Sequence, residues 1–267
     1  MFELYVGNTS LTADPRFSVI NVDGLNPVPT TINTSANSGD GAIFNSAFLQ
    51  PRNIVITVVF NGDIEDTRKA FYALFPLKSR IRLRIKNKNY DVYIYGYVEA
   101  NDIALFSQRQ QAQVSIVCPD PFFTATTATE YTFSYQVPPS ETTEHPTAII
   151  TNGGDVECGM IITINLPQGA PYNNIKITNE TTNKFFQIND GIIPTIDGVK
   201  FVLNTRRGEL SLYEVYPTGQ IDFLNKVARS SSWLKLVQGA NRLSITATNG
   251  ESSLTATATV APLYGGV

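Results

Sequence analysis

Two neighbouring stretches alternate apolar and polar residues with a period of two, which commits this part of the chain to β-structure. Residues 79–86 read Ser-Arg-Ile-Arg-Leu-Arg-Ile-Lys, and residues 90–98 read Tyr-Asp-Val-Tyr-Ile-Tyr-Gly-Tyr-Val. A strand sends successive side chains to opposite faces, so Ile81, Leu83 and Ile85 share a core face with Val92 and Ile94. Polar Asn87-Lys88-Asn89 supplies the turn of a hairpin. Residues 111–117 alternate again, with Ala112, Val114 and Ile116 inward and Gln111, Gln113 and Ser115 outward. That run ends at Cys118-Pro119-Asp120-Pro121, where proline cannot continue a ladder. Residues 54–60, Ile-Val-Ile-Thr-Val-Val-Phe, are predicted as a strand buried on both faces.

One segment breaks the pattern. From Asp63 to Phe75 the apolar residues Ile64, Phe71, Leu74 and Phe75, with the stem of Arg68, fall in one helical stripe. Asp63 is placed to cap the helix, Glu65 and Asp66 lie where the dipole favours acids, and Pro76 stops it. A chain of 267 residues is one large domain or two small ones, and the composition shifts after Phe122-Phe123. Residues 124–130 have the small polar character of a linker. Beyond them short strands are broken by turns at Asn152-Gly153-Gly154-Asp155, Asn189-Asp190-Gly191 and Asp197-Gly198. The last strands are Trp233–Leu236, Leu243–Ala247 and Leu254–Val260. The expected fold is mainly β: a strand-rich domain with one helix over residues 1–126, then a β-sandwich over 127–267.

Composition removes much of enzymology. The sequence holds one histidine, His145, in the polar loop Glu141-Thr142-Thr143-Glu144-His145-Pro146, so neither a histidine-based triad nor a multi-histidine metal site is expected. Carboxylate pairs able to run glycoside hydrolysis would be Asp155 with Glu157, Glu141 with Glu144, or Asp190 with Asp197, but each lies in or beside a turn that favours acids anyway. There is no phosphate-binding loop or dinucleotide fingerprint, so no cofactor is expected. Cys118 and Cys158 are too few for a disulfide scaffold and read as buried free thiols. The net charge of −3, with 11 bases and 12 acids up to residue 130, argues against specific nucleic-acid binding. No apolar run reaches the roughly 20 residues of a membrane span, and the opening Met1-Phe2-Glu3-Leu4-Tyr5 lacks the basic start of a secretion signal.

The most unusual feature is a cationic row: Lys78, Arg80, Arg82, Arg84, Lys86 and Lys88, with no acid between Pro76 and Tyr90. Arg80, Arg82, Arg84 and Lys86 share one strand face, and an anionic partner would relieve their mutual repulsion. Solvated cations guarding an edge strand are the plainer explanation. Tyr93, Tyr95 and Tyr97 line the face opposite Val92 and Ile94, as interface tyrosines do and as ordinary cross-strand packing also would. In the second half, Trp233, Tyr213 and Tyr216 are the aromatics that a glycan would use, although Trp233 between apolar neighbours suits a core.

The order of these elements, the closing segment Cys118-Pro119-Asp120-Pro121-Phe122-Phe123, the turn Asn152-Gly153-Gly154 and the segment Leu236-Val237-Gln238-Gly239-Ala240-Asn241 together resemble the distal tail protein (Dit) family of long-tailed, non-contractile bacteriophages. The likeness runs over essentially the whole chain. It implies a structural, non-enzymatic virion protein at the distal end of the tail. Its first, tail-tube-like belt domain would form a hexameric ring, with a galectin-like or carbohydrate-module-like sandwich on the outside. The ring would join the tail tube protein to the tail-tip hub or tail-associated lysin, let DNA pass, and engage receptor-binding and tape measure proteins. The alternative is a lectin-like module for host-surface glycans. The family's sandwich accepts inserted sugar-binding modules, whereas this one is short and uninterrupted. Residues 78–98 are then expected at the subunit or hub interface, with Lys78, Arg80, Arg82, Arg84, Lys86, Tyr93, Tyr95 and Tyr97 as its candidates.

Overall fold

The structure, a computed structural model, describes residues 2–36, 39–104, 110–135 and 147–267. The chain divides into two units: residues 1–126 together with 264–267, and residues 127–263. His145, Glu141 and Glu144 lie outside the described residues.

The first unit is built from strands β1 (Glu3–Val6), β2 (Thr9–Ser10), β3 (Phe17–Asp23), β4 (Thr30–Ala36), β5 (Ala42–Leu49), β6 (Arg52–Phe60), helix α1 (Ile64–Leu74), β7 (Arg80–Lys86), β8 (Asp91–Ile103), β9 (Gln111–Cys118) and β10 (Phe123–Ala125). One antiparallel sheet runs β2-β1-β7-β8-β9-β6-β3, with β10 also paired to β8. Its inner face follows the period-two pattern: Ile81, Leu83 and Ile85 on β7, Val92 and Ile94 on β8, and Ala112, Val114 and Ile116 on β9 are all buried. The strand β6 alternates instead of being buried throughout, because Val55 and Thr57 stay half-exposed on the outer face of a one-sided sheet. Only its end, Val58-Val59-Phe60, is buried continuously, where Phe60 meets Phe71 of α1 with ring centroids 5.4 Å apart.

Helix α1 forms as its sequence requires. The Asp63 carboxylate accepts from the backbone N–H groups of Glu65 and Asp66 at 3.0 and 3.1 Å, satisfying donors that the first turn leaves open. Phe71 and Phe75 are buried, and so is Thr67, whose hydroxyl donates to the Asn61 carbonyl at 3.0 Å.

Among its described residues, the same unit buries a cation but no acid. Arg52, 2% exposed, donates to the carbonyls of Gly24, Asn26 (2.6 Å), Pro121 (2.8 Å) and Gly265 (2.5 Å), and its guanidinium lies 4.4 Å from the Phe123 ring. Burial holds the guanidinium below its ordinary pKa. Gly24 must be glycine here: its φ is +85°, and a Cβ would stand 2.0 Å from the Asn53 carbonyl oxygen. The final residues close on this hub, with Val267 N–H donating to Leu25 O at 3.1 Å and Tyr264 edge-on to Tyr90 at 5.2 Å.

The second unit is a β-sandwich. Its strands are β11 (Thr129–Ser134), β12 (Ala148–Asn152), β13 (Met160–Asn165), β14 (Tyr172–Asn179), β15 (Lys184–Ile192), β16 (Lys200–Asn204), β17 (Ser211–Tyr216), β18 (Gly219–Asp222), β19 (Gly239–Thr246) and β20 (Thr255–Val260). A six-stranded sheet, β11-β20-β13-β16-β17-β18, and a four-stranded sheet, β12-β19-β14-β15, contribute to one buried apolar cluster. The expected linker is shorter than the composition suggests, since β10 and β11 take up most of residues 124–130. Asn189-Asp190-Gly191 is not a turn but lies within β15.

Residues 233–235 are not a strand. This segment has no ladder pairing, and Leu236 alone bridges to Cys158. Three buried asparagines hold it in place of a ladder. Asn152 donates to Leu236 O (3.3 Å), Asn179 to Lys235 O (2.9 Å), and Asn241 both accepts from Val237 N–H (3.0 Å) and donates to Val237 O (2.8 Å). Asparagine suits this task because one side chain offers both a donor and an acceptor.

Cys118 and Cys158 are free and buried, and burial pushes their thiols up to about 12 and about 11. A thiol reagent at pH 8 is expected to label neither in the folded chain and both after denaturation. The unfolded thiols ionise first, near their ordinary 9.0, so these groups leave stability intact below that pH and erode it as the pH rises toward 11–12. A flat denaturation midpoint from pH 8 to 11 would contradict this.

Candidate assembly surface

The cationic row and the tyrosine row belong to the same sheet face. In the β7–β8 register Arg80 stands opposite Tyr97, Arg82 opposite Tyr95, Arg84 opposite Tyr93 and Lys86 opposite Asp91. The side chains then lean diagonally: the Arg80 guanidinium lies 4.1 Å from the Tyr95 ring centre and that of Arg82 4.3 Å from Tyr93. Tyr93 and Tyr95 meet edge to face at 5.6 Å. Further along, Arg84 donates through Nε and Nη2 to both oxygens of Asp91 at 2.7 and 2.6 Å and lies 5.3 Å from Tyr5. Lys86 pairs with Glu3 at 3.6 Å.

The electrostatics follow these contacts. The Arg84 hydrogen bond holds Asp91 below its ordinary pKa, and the same bond raises Arg84. The Tyr5 hydroxyl donates to Glu3 at 2.7 Å, lowering the carboxyl and raising the phenol. Much of the row's repulsion is therefore relieved within the chain, by aromatic faces and two acids.

The edge-strand reading of this row holds for only part of it. β8 pairs the whole of β7, while β1 covers its other side over Leu83–Lys86, with Gly7 N–H donating to Arg82 O at 2.8 Å. The partner strand β1 is only four residues long and remote in sequence, which is why alternation within residues 78–98 does not reveal it. Lys78 does not join the row: it sits in the turn before β7 with φ +63° and donates its N–H to Val98 O at 3.1 Å. Lys88 is in the exposed β7–β8 turn.

The margins of the sheet lie elsewhere, at β2 and β3. Between β3 and β6 the chain makes a hairpin, β4–β5, that pairs only with itself among the described residues. On one face, Leu49 lies opposite Thr30, Ala47 opposite Ile32, Phe44 opposite Thr34 and Ala42 opposite Ala36. On the other, Phe48 lies opposite Thr31 and Ile43 opposite Ser35, beside an Asn33–Ser46 hydrogen bond of 3.0 Å. Both faces are open: Ile32 is 62% and Phe44 63% exposed on the first, Ile43 and Phe48 52% each on the second. A lone two-stranded hairpin is marginal in water, and edges are normally defended by charge. Here Asp40 is the single charged residue between Gly24 and Pro51, and that scarcity is the sequence signal that could have marked the segment.

In the sandwich the candidate aromatics do not make a platform. Trp233 is half-buried against Phe186, 5.3 Å between rings. Tyr216 packs against the core, while Tyr213 alternates to the other face of β17. Burial and a hydrogen bond to Glu214 push the Tyr216 phenol up to about 12. Glu157 is paired to Lys235 at 2.5 Å. Among the described residues, no group of three or more His, Cys, Asp or Glu side chains is placed to hold a metal.

This order, a strand-rich unit with one helix followed by an antiparallel sandwich, is a fold shared with solved phage hub and baseplate proteins. The chain matches the crystal structure of SPP1 Dit (gp 19.1) with a TM-score of 0.70 at 15% identity, over 98% of this chain and 99% of that one. It also matches chains of the phage P2 baseplate in its activated conformation, with Ca (TM-score 0.59, 9% identity, 100% of both chains) and with Sr (0.56, 9%, 97% and 98%). No protein-family model and no curated protein matches the sequence.

Proposed function

We propose that this chain is a non-enzymatic, ring-forming adaptor of a phage tail. The observation that supports it most is the end-to-end likeness to SPP1 Dit, described as a paradigm of the hub adsorption apparatus in Gram-positive-infecting phages. The first unit would close into a hexameric belt that continues the tail tube toward the tail-tip hub or lysin and lets DNA through. The galectin-like sandwich would face outward toward receptor-binding proteins.

The exposed apolar side chains of β4–β5 and the outer margin of β3 support a subunit contact there, beside or in place of residues 78–98. Each offers a neighbouring copy unpaired backbone or uncovered apolar surface, and repeated head-to-tail contacts of that kind close a ring. Light scattering with negative-stain imaging of the purified chain tests this. Closed particles with a central opening are expected. A monomer at every concentration would contradict it.

A further inference from the structure

We propose that Arg80 and Arg82 form a recognition strip for an extended acidic segment of a partner protein, with carboxylates two residues apart. The inference stands apart from ring formation. Its basis is the unequal state of one repeated arrangement. Three arginines on the outer face of β7 each lie over a tyrosine, at 4.1 Å for Arg80, 4.3 Å for Arg82 and 5.3 Å for Arg84. Only the third holds a carboxylate, from Asp91. Among the described residues neither Arg80 nor Arg82 has an ion-pair partner.

Arg84 with Asp91 shows how a carboxylate is held in this row: the guanidinium lies over the Tyr5 ring, and Nε and Nη2 donate to both carboxylate oxygens. Stacking also fixes the other two guanidinium groups before any partner arrives, which reduces the entropy that binding would cost.

Geometry selects the partner's conformation. Residues two apart on β7 are separated by roughly 6.7 Å at about 3.3–3.4 Å per strand residue, and a partner in extended conformation presents alternate side chains at the same pitch on one face. Adjacent carboxylates on an extended segment point to opposite faces and cannot engage both arginines. Nucleic acid fits less well. The faces of Tyr93 and Tyr95 that would stack bases are covered by guanidinium groups, and the net charge of the chain is −3.

The test uses the full chain at low salt and a fluorescent peptide of alternating Glu and Thr, read by anisotropy. The expected result is binding that weakens at least about tenfold when the peptide's Glu are replaced by Gln, and likewise in the Arg80→Gln/Arg82→Gln variant. A peptide of the same composition in Glu-Glu-Thr-Thr repeats, in which no two Glu stand two residues apart, should bind more weakly to the wild-type chain. The Arg80→Lys/Arg82→Lys variant keeps the charge but should lose that discrimination, because lysine offers a point charge without a fork. No binding of the alternating peptide, equal binding by the Gln variant, no preference for alternating Glu over the Glu-Glu-Thr-Thr repeat, or equally tight binding of a thymidine oligonucleotide of matched charge would each overturn the proposal. Particle size of the Gln variant, measured alongside, reports separately on ring formation.

Discussion

Arg52→Met is expected to unfold the first unit under conditions in which the wild-type chain is stable, at a cost of roughly 3 kcal/mol or more from several carbonyls left without this donor. Methionine fills much of the same volume but donates nothing, so the carbonyls of Gly24, Asn26, Pro121 and Gly265 lose this donor together. A single buried polar group left unsatisfied costs about 1–3 kcal/mol, and a domain's whole margin is only about 5–15 kcal/mol. The loss also undocks the chain end, since Gly265 is held by the same guanidinium. Amide hydrogen exchange checks it: protection should vanish across β6, β9 and Val267 while the strands of the sandwich keep theirs. Arg52→Lys should lie between, because one ammonium has three donors and no fork. Wild-type protection in Arg52→Met would show that the carbonyls find other donors.

The second large effect concerns assembly instead of folding. Ile32→Asp with Phe44→Asp places two carboxylates on one open face of the β4–β5 hairpin, where both side chains are more than half exposed in the isolated chain. Little burial is lost in the monomer, so its melting temperature should hold. Covering each side chain in an interface contributes roughly 1.5–3 kcal/mol, and burying an unpaired carboxylate there instead is prohibitive. Sedimentation should therefore show a folded monomer at concentrations where the wild-type chain associates. Unchanged association would place the subunit contact on another surface.

How far the sequence could be read depended on whether a residue's partners were local. Alternation made β7, β8 and β9 legible because each strand's pattern is written within itself, and the α1 cap was legible because Asp63 and its acceptor-seeking amides are neighbours. Arg52 was not, since its acceptors lie as far away as Gly265. Trp233–Leu236 carries a strand-like pattern, yet buried asparagines on other elements fix it, and no local rule encodes that. The β4–β5 hairpin escaped because Thr, Asn, Ser and Ala dilute its alternation. The cationic row was conspicuous in the sequence, but its tyrosine stacking and the pairing of β7 with β1 emerge only from the sheet order.

The central claim is that copies of this chain join through the hairpin, and a photo-crosslinking phenylalanine analogue at position 44 tests it most directly. Irradiation of the purified, folded protein should give a denaturation-resistant ladder of chain multiples ending at six. A sample that stays at the mass of one chain, with the analogue incorporated and the fold intact, would contradict the account.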